Sequence, residues 1–368
     1  MKLVVVGAGI YGLSTAWAAL RAGHSVTVIE QGMVPNPLAS SVDRHRLIRY
    51  PYGAFEGYAR MIADAYSAWN RLWADLGERH YVETGTLAHH FAPGDFADLS
   101  AEVLARMGIA FERLNPAELD TRFPMLSAED CRGALWLPSG GALLADRIVT
   151  GLGAYVRAHG RLLEGIAVAD LDPARATAVL ADGRRVEGDR LVVAAGPWTP
   201  RLMPDLAAHL RPVRQVVAYA AVPARWRAAW AKGPMLLEVE GEGGFYAVPP
   251  VDGYGLKLGD HRLDGGPDDP DERRSARSTE AATIFAGGAR RLRDFADYRL
   301  VEGKTCFYTV TADERFRIEA VDQALVLSCC SGHGFKFGTL MGEKVAAWLD
   351  GRLGIAALQE YAAGKLLS

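Results

Sequence analysis

Short runs of aliphatic and β-branched residues at 3–6, 25–29, 191–194 and 324–328 read as strands buried on both faces. Between the first two, 14–21 is Ala-rich with apolar positions at helical spacing, and Gly23 follows as a stop. The chain therefore opens as β-α-β, with Glu30 closing the second strand. Helical periodicity returns at 53–76, an amphipathic stretch rich in Ala, Tyr and Trp, and again at 148–159 and 338–349. From 83 to 144 the pattern is mixed, predicting strands at 84–89 and 133–137 and helices at 96–107 and 116–122. Residues 161–189 alternate short strands around an Asp182-Gly183 turn, and strand signals dominate 213–258. Residues 264–271 (DGGPDDPD) read as a loop, and 272–295 as a helix rich in arginine.

These periodicities predict an α/β protein. Nucleotide-type βα units sit at the start, middle and end, so a Rossmann-type domain is expected to be discontinuous, over 1–82, 145–212 and 301–368. The strand-rich insertions, 83–144 and 213–300, are expected to come together as a second domain. A length of 368 residues agrees with two domains.

Composition narrows the class. With 49% hydrophobic and 23% charged residues the chain is neither disordered nor collagen-like. A formal net charge of −3 gives no electrostatic case for nucleic acid or an anionic membrane. The arginines at 273, 274, 277, 290, 291 and 293 are interspersed with Glu272, Glu280, Asp294 and Asp297, which predicts a solvated helix face. The 4 cysteines form no CxxC pair, so a disulfide framework, a zinc ribbon or an iron–sulfur centre is not expected, and no metal site is assigned. The apolar run at 3–20 contains Gly7, Gly9, Gly12, Ser14 and Thr15, which suits a strand-to-helix turn better than a signal peptide or a membrane span. A cytoplasmic protein without a membrane partner is expected.

That turn, Gly7-Ala8-Gly9-Ile10-Tyr11-Gly12, is a GxGxxG in its proper setting, after a strand and before a helix. Gly7 permits the tight turn, Gly9 lets the backbone approach a pyrophosphate, and Gly12 allows close helix–strand packing. The helix N-terminus offers free N–H groups and the positive end of its dipole to phosphates. Glu30 is placed to accept hydrogen bonds from a ribose diol. A bound dinucleotide is expected, and the motif alone does not choose between NAD and FAD.

Four further segments make that choice: Arg46-Leu47-Ile48-Arg49, Gly255-Leu256-Lys257-Leu258-Gly259, Lys304-Thr305-Cys306-Phe307-Tyr308-Thr309 and Ser331-Gly332-His333-Gly334-Phe335-Lys336-Phe337. In order and over nearly the whole chain, they resemble the monomeric sarcosine oxidase and N-methyltryptophan oxidase family, within the glycine oxidase and D-amino-acid oxidase type of flavoproteins. The resemblance implies a discontinuous FAD-binding domain and an α+β substrate domain built on a mixed sheet. It implies oxidation of the secondary amine of an amino acid to an imine, with O2 reduced to H2O2.

By the same resemblance Cys306 corresponds to the cysteine joined to the flavin 8α-methyl group, a reaction that requires a thiolate. Cys131, Cys329 and Cys330 match no attachment site and read as core thiols. Lys257 corresponds to the lysine that promotes reaction with O2, where a cation stabilises developing superoxide. Arg49 and Lys336 correspond to the residues that hold the substrate carboxylate. Arg46, Tyr246, Tyr308 and His261 match positions around the flavin and pocket, with core aromatics as the plainer reading of the tyrosines. Gly332 and Gly334 let the loop approach the flavin pyrimidine end, and the helix beginning near Gly338 adds a dipole end there.

One position departs. The family carries a histidine four residues before the first arginine of the RxxR segment, and here that residue is Val42. The substitution implies a substrate bulkier and more apolar than sarcosine, such as an N-alkyl or cyclic amino acid. The expected partners are that substrate and O2, and the expected state is a monomer. Two alternatives stay open: a flavin dehydrogenase that passes electrons to a quinone or protein, and a dinucleotide-binding protein without turnover.

Overall fold

The computed structural model describes residues 1–239, 244–263 and 268–365. The opening unit forms as its pattern dictates. Strand Lys2–Val6 leads into helix Ile10–Arg21, and Gly23 (φ +83°) turns the chain into strand Ser25–Ile29. These strands lie in a six-stranded sheet with the order Arg317–Val321, Ala324–Ser328, Arg190–Val193, Lys2–Val6, Ser25–Ile29, Arg161–Leu163. The neighbours pair in parallel, except for the antiparallel edge strand Arg317–Val321. The central strands are apolar throughout because helices cover one face and a small three-stranded sheet (Val168–Asp172, Thr177–Leu180, Arg185–Glu187) packs toward the other.

Helix Ile10–Arg21 packs directly on helix Gly338–Leu349, from the other end of the chain. A Cβ on Gly342 would collide with the Ser14 backbone, so the approach demands glycine. The long helix Glu56–Leu76 buries Tyr58, Ile62, Trp69 and Leu72 against the same core and ends at Gly77 in the left-handed region.

The second large sheet has eight strands, in the order Arg299–Val310, Arg211–Ala221, Leu256–Gly259, Phe245–Val248, Met235–Glu238, Thr86–His90, Gly133–Leu137, Glu112–Leu114. It is mixed, because Met235–Glu238 runs parallel to Thr86–His90 while its other neighbours pair antiparallel. A fourth, short sheet pairs Arg46–Ile48 and Tyr81–Glu83 with Gly141–Leu143, fixing the segment that carries Arg46 and leads to Arg49.

Two expectations are corrected. The helix predicted over 272–295 is only Ser278–Ala286, because Gly287 and Gly288 loosen the chain into a 3-10 turn and Arg273 sits in the left-handed region. Its arginines do not share one solvated face. Arg291 is buried in an ion pair with Glu238 (2.6 Å), and Arg274 lies over the rings of Trp198 and Phe307. Of the predicted loop, residues 264–267 lie outside the described residues.

Candidate active site

The tight turn after the first strand opens a groove. Gly7 takes φ +99°, and a Cβ there would press on the Ala194 carbonyl; a Cβ on Gly12 would overlap the Gly7 carbonyl oxygen. The Glu30 carboxylate stiffens the turn by accepting from Ala8 N (2.7 Å), Gly32 N (3.1 Å) and Asn36 Nδ2 (2.8 Å). Ser41 Oγ accepts from Ile10 N at the helix start (2.8 Å), a support with no sequence motif of its own. The groove, about 380 Å³, runs from Glu30 past Gly7 and Gly9 to Tyr308, Cys330, Gly332 and Gly334.

A second cavity, about 700 Å³, meets the first at Arg46, Tyr308, Gly332 and Phe335. Arg49, Lys257, Lys336, Tyr246 and His261 all line it. Arg49 donates to the Pro51 carbonyl and lies over the rings of Tyr52 and Phe96 at 4.5 and 5.7 Å. Lys336 Nζ donates to the His333 carbonyl (2.6 Å) and the Tyr52 hydroxyl (3.1 Å). Among the described residues neither cation has a carboxylate within ion-pair distance. Burial, and then Arg49 beside it, hold the Lys336 ammonium well below the usual lysine range. His261 Nε2 lies 2.8 Å from Glu314 at the rim. Burial raises both cavity phenols, Tyr246 and Tyr308, so each remains a neutral hydroxyl.

Lys257 stands between Leu256 and Leu258, whose side chains enter the core on one face of the eight-stranded sheet, so the strand's alternation sends it to the other face, as expected. There it meets Asp43, which no motif singles out. Nζ donates to Asp43 Oδ2 (2.6 Å) and to the His45 carbonyl (3.2 Å). Tyr219 donates to Asp43 Oδ1 (2.7 Å), and Arg46 also pairs with Oδ2. Both partners are buried, Lys257 at 2% and Asp43 at 4% exposure, so water does not screen the pair. Burial opposes the charge on Asp43, yet Lys257, Arg46 and these hydrogen bonds hold its carboxyl well below the usual range. Burial and Arg46 push Lys257 down to about 8 against the pull of Asp43.

Three further readings change. Cys330 lines the groove, so it is not simply a core thiol. Cys306, in strand Arg299–Val310 opposite Gln215, is partly buried and lines neither cavity; burial raises its thiol and the Arg46 charge opposes that. Val42 is half-buried and lines neither cavity, so it supplies no apolar contact to a substrate there. The apolar surface comes instead from Tyr52, Phe55, Phe96, Leu237 and Phe245.

Residues 2–348 match the family of FAD-dependent oxidoreductases. The chain belongs to that family. It is 27% identical over 356 residues to an N-methyl-L-tryptophan oxidase of Yersinia pestis, covering 94% of this chain and 93% of the relative. The fold matches NikD, an amino acid oxidase essential for nikkomycin biosynthesis, with a TM-score of 0.80 at 19% identity, over 97% and 96% of the two chains. It matches L-proline dehydrogenase from P. horikoshii with a TM-score of 0.81 at 18% identity, over 100% and 99%. The protein is thus an FAD-dependent oxidoreductase with a Rossmann-type FAD-binding domain and a second α+β domain on a mixed sheet. Its groove fits the cofactor: a carboxylate for a ribose, glycines and a helix N-terminus for the pyrophosphate, and an aromatic junction with the second cavity. Among the described residues no helix is long and apolar enough to cross a membrane.

Proposed function

We propose that this oxidoreductase oxidises the secondary amine of an amino acid, N-alkylated or cyclic and bulkier than sarcosine, to an imine with O2 reduced to H2O2. One observation carries the reading: Arg49 and Lys336 converge without a carboxylate partner in a cavity that opens onto the FAD groove. Two such cations in a shielded pocket call for an anionic ligand. A substrate carboxylate satisfies them, bidentate on the guanidinium and point-charged on the ammonium.

FAD held in the groove would supply the two-electron chemistry between the C–N carbon of the substrate and O2. Gly7, Gly9, Gly12 and Glu30 hold its dinucleotide portion in this reading, and Gly332, Gly334 and Arg46 its ring end. The protein's own groups do the rest. The positive charge of Arg49 and Lys336, which have no carboxylate partner among the described residues, disfavours an ammonium beside it and keeps the substrate nitrogen neutral for hydride departure. Tyr52, Phe55, Phe96 and Phe245 exclude water around the substrate side chain. Lys257 stabilises negative charge developing on O2.

Cys306 attaches the flavin in this reading, through a thioether from Sγ to the 8α-methyl carbon. One hydrogen leaves sulfur and one leaves carbon, and their two electrons pass to O2. The FAD-binding domain is proposed as 1–82, 145–212 and 301–368 and the substrate domain as 83–144 and 213–300. The segregation of the six- and eight-stranded sheets supports this, with strand Arg299–Val310 crossing the last boundary into the second sheet.

The test is a screen of N-methyl and cyclic amino acids against the purified yellow protein, read both as H2O2 and as bleaching of an artificial acceptor. Turnover with O2 of proline- or pipecolate-like rings or larger N-methyl amino acids, faster than of sarcosine, is expected. Sarcosine as best substrate, or turnover only with the artificial acceptor, overturns it.

A further inference from the structure

Asp43 is a buried carboxylate that contacts neither cavity and yet receives three side-chain donors, besides the Arg44 N–H on Oδ1 (2.8 Å). Lys257 and Arg46 both meet its Oδ2, and Tyr219, directly across the strand pair from Lys257, occupies Oδ1. We propose that Asp43 is a positioning residue for Lys257, keeping its ammonium charged and aimed at the junction of the two cavities so that O2 reduction stays fast above neutral pH. The proposal rests on the reading of Lys257 as the O2-activating cation and adds the group that sets it.

The aim follows from counting donors. An ammonium carries three N–H groups. One is taken by Asp43 and one by the His45 carbonyl, both on the segment that precedes Arg46. The third is left for the cavity that Lys257 lines. Without Asp43 the stem would keep only the carbonyl contact, and nothing would fix the head between its rotamers.

The charge follows from what faces the ammonium. The segment before the short strand presents Asp43, His45 and Arg46; the neighbouring strands present Tyr219, Tyr246 and Cys306. His45 is uncharged, its imidazole pushed down to about 3 by burial and by Lys257. Burial raises the two phenols and the thiol, which stay neutral. Arg46 repels. Among the described residues, Asp43 is the carboxylate that opposes burial and Arg46 at this site. A buried ammonium stripped of its counter-charge sheds its proton at lower pH.

The experiment mixes the substrate-reduced holoenzyme with O2 from pH 6 to 10 and follows flavin absorbance. In the wild type the rate is expected to fall with a midpoint near 8. In Asp43→Asn the midpoint moves down by about one unit or more, which is about a fivefold or greater loss relative to wild type at the old midpoint. Asp43→Glu, which keeps the charge, restores a midpoint near the wild type. Lys257→Met is slow at every pH. A wild-type midpoint in Asp43→Asn, with Lys257→Met slow, overturns the role of Asp43 alone. Fast reoxidation in Lys257→Met overturns the role of the lysine and the proposal with it.

Thermal unfolding of the same holoenzymes gives a reading independent of turnover. The Tm lost in Asp43→Asn should be partly regained in Asp43→Asn/Lys257→Met, and should shrink between pH 6 and 9 as the unpaired lysine loses its proton. Strictly additive Tm changes at both pH values overturn the pairing. Should Asp43→Asn not accumulate, Tyr219→Phe decides. Freed of one donor, Asp43 holds Lys257 more tightly and the midpoint moves up; a midpoint that stays or falls overturns the proposal.

Discussion

Lys336 and Arg49 share one aromatic residue: the lysine donates to the Tyr52 hydroxyl at 3.1 Å while the guanidinium lies 4.5 Å from the centre of the same ring. Tyr52 thereby holds two like charges side by side without neutralising either. Arg49→Ala should raise KM for the acid by about 10–100-fold, as loss of a charge-assisted hydrogen bond of roughly 1.5–3 kcal/mol requires. The methyl ester of the same substrate should react poorly with the wild type, and Arg49→Ala should erase the preference for acid over ester. Steady-state kinetics on the matched pair measures both.

The same geometry predicts a pH dependence. The Lys336 ammonium is held well below its ordinary value by burial and by Arg49, so its cationic form is complete at low pH and lost as pH rises through that depressed value. Affinity for a carboxylate without an amine, free of substrate titration, should therefore weaken as pH rises, and at a pH well below the ordinary lysine range. Lys336→Met should bind more weakly at the low-pH end, where the wild-type ammonium is complete, and should show no such loss as pH rises. Titration of the flavin spectrum with an aromatic carboxylate gives both curves.

Attachment of the flavin should depend on Cys306. Denatured wild-type protein should carry the flavin mass on the peptide containing Cys306, and Cys306→Ala should release all of it into the acid supernatant. Cys330→Ala is the control, because that thiol lines the groove. An adduct surviving in Cys306→Ala and lost in Cys330→Ala would reassign the bond.

At the wall of the second cavity, the buried pair of Arg291 and Glu238 ties the segment after helix Ser278–Ala286 to strand Met235–Glu238. Arg291→Ala should destabilise the protein by about 3–5 kcal/mol, since it strands a buried carboxylate. Arg291→Met combined with Glu238→Gln should recover much of that. Denaturant midpoints at constant slope report the difference.

Long periodic elements were legible in the sequence: strands Gly133–Leu137 and Ala324–Ser328 and helices Pro116–Arg122 and Gly338–Leu349 fall where the pattern predicts them. Three-residue strands such as Glu112–Leu114 were not, because register with a distant partner defines them and no local period does. At the site, residues inside motifs were legible and their partners were not. Lys257 could be named, but Asp43 lies 214 positions earlier and only the fold brings them together. Val42 shows the converse: a departure visible in the sequence implied a contact with substrate that the cavity wall does not contain. Arg291 sits in a run of charge that reads as solvated, and only the turn at Gly287 and Gly288 takes it inside.

The packing of helix Ile10–Arg21 on helix Gly338–Leu349 has a consequence for biogenesis. The glycine-rich nucleotide turn is made long before the surface that covers its helix, because the two elements, Ile10–Arg21 and Gly338–Leu349, lie far apart along the chain. At roughly 5–20 residues per second, tens of seconds separate the two. Through that interval the alanine-rich face of the first helix has no native cover, so the nascent chain should be protease-sensitive and chaperone-dependent until residues near 349 emerge. Ribosome-stalled chains ending before Gly338 should remain cleavable within the first βαβ unit, while chains ending after the closing helix should resist.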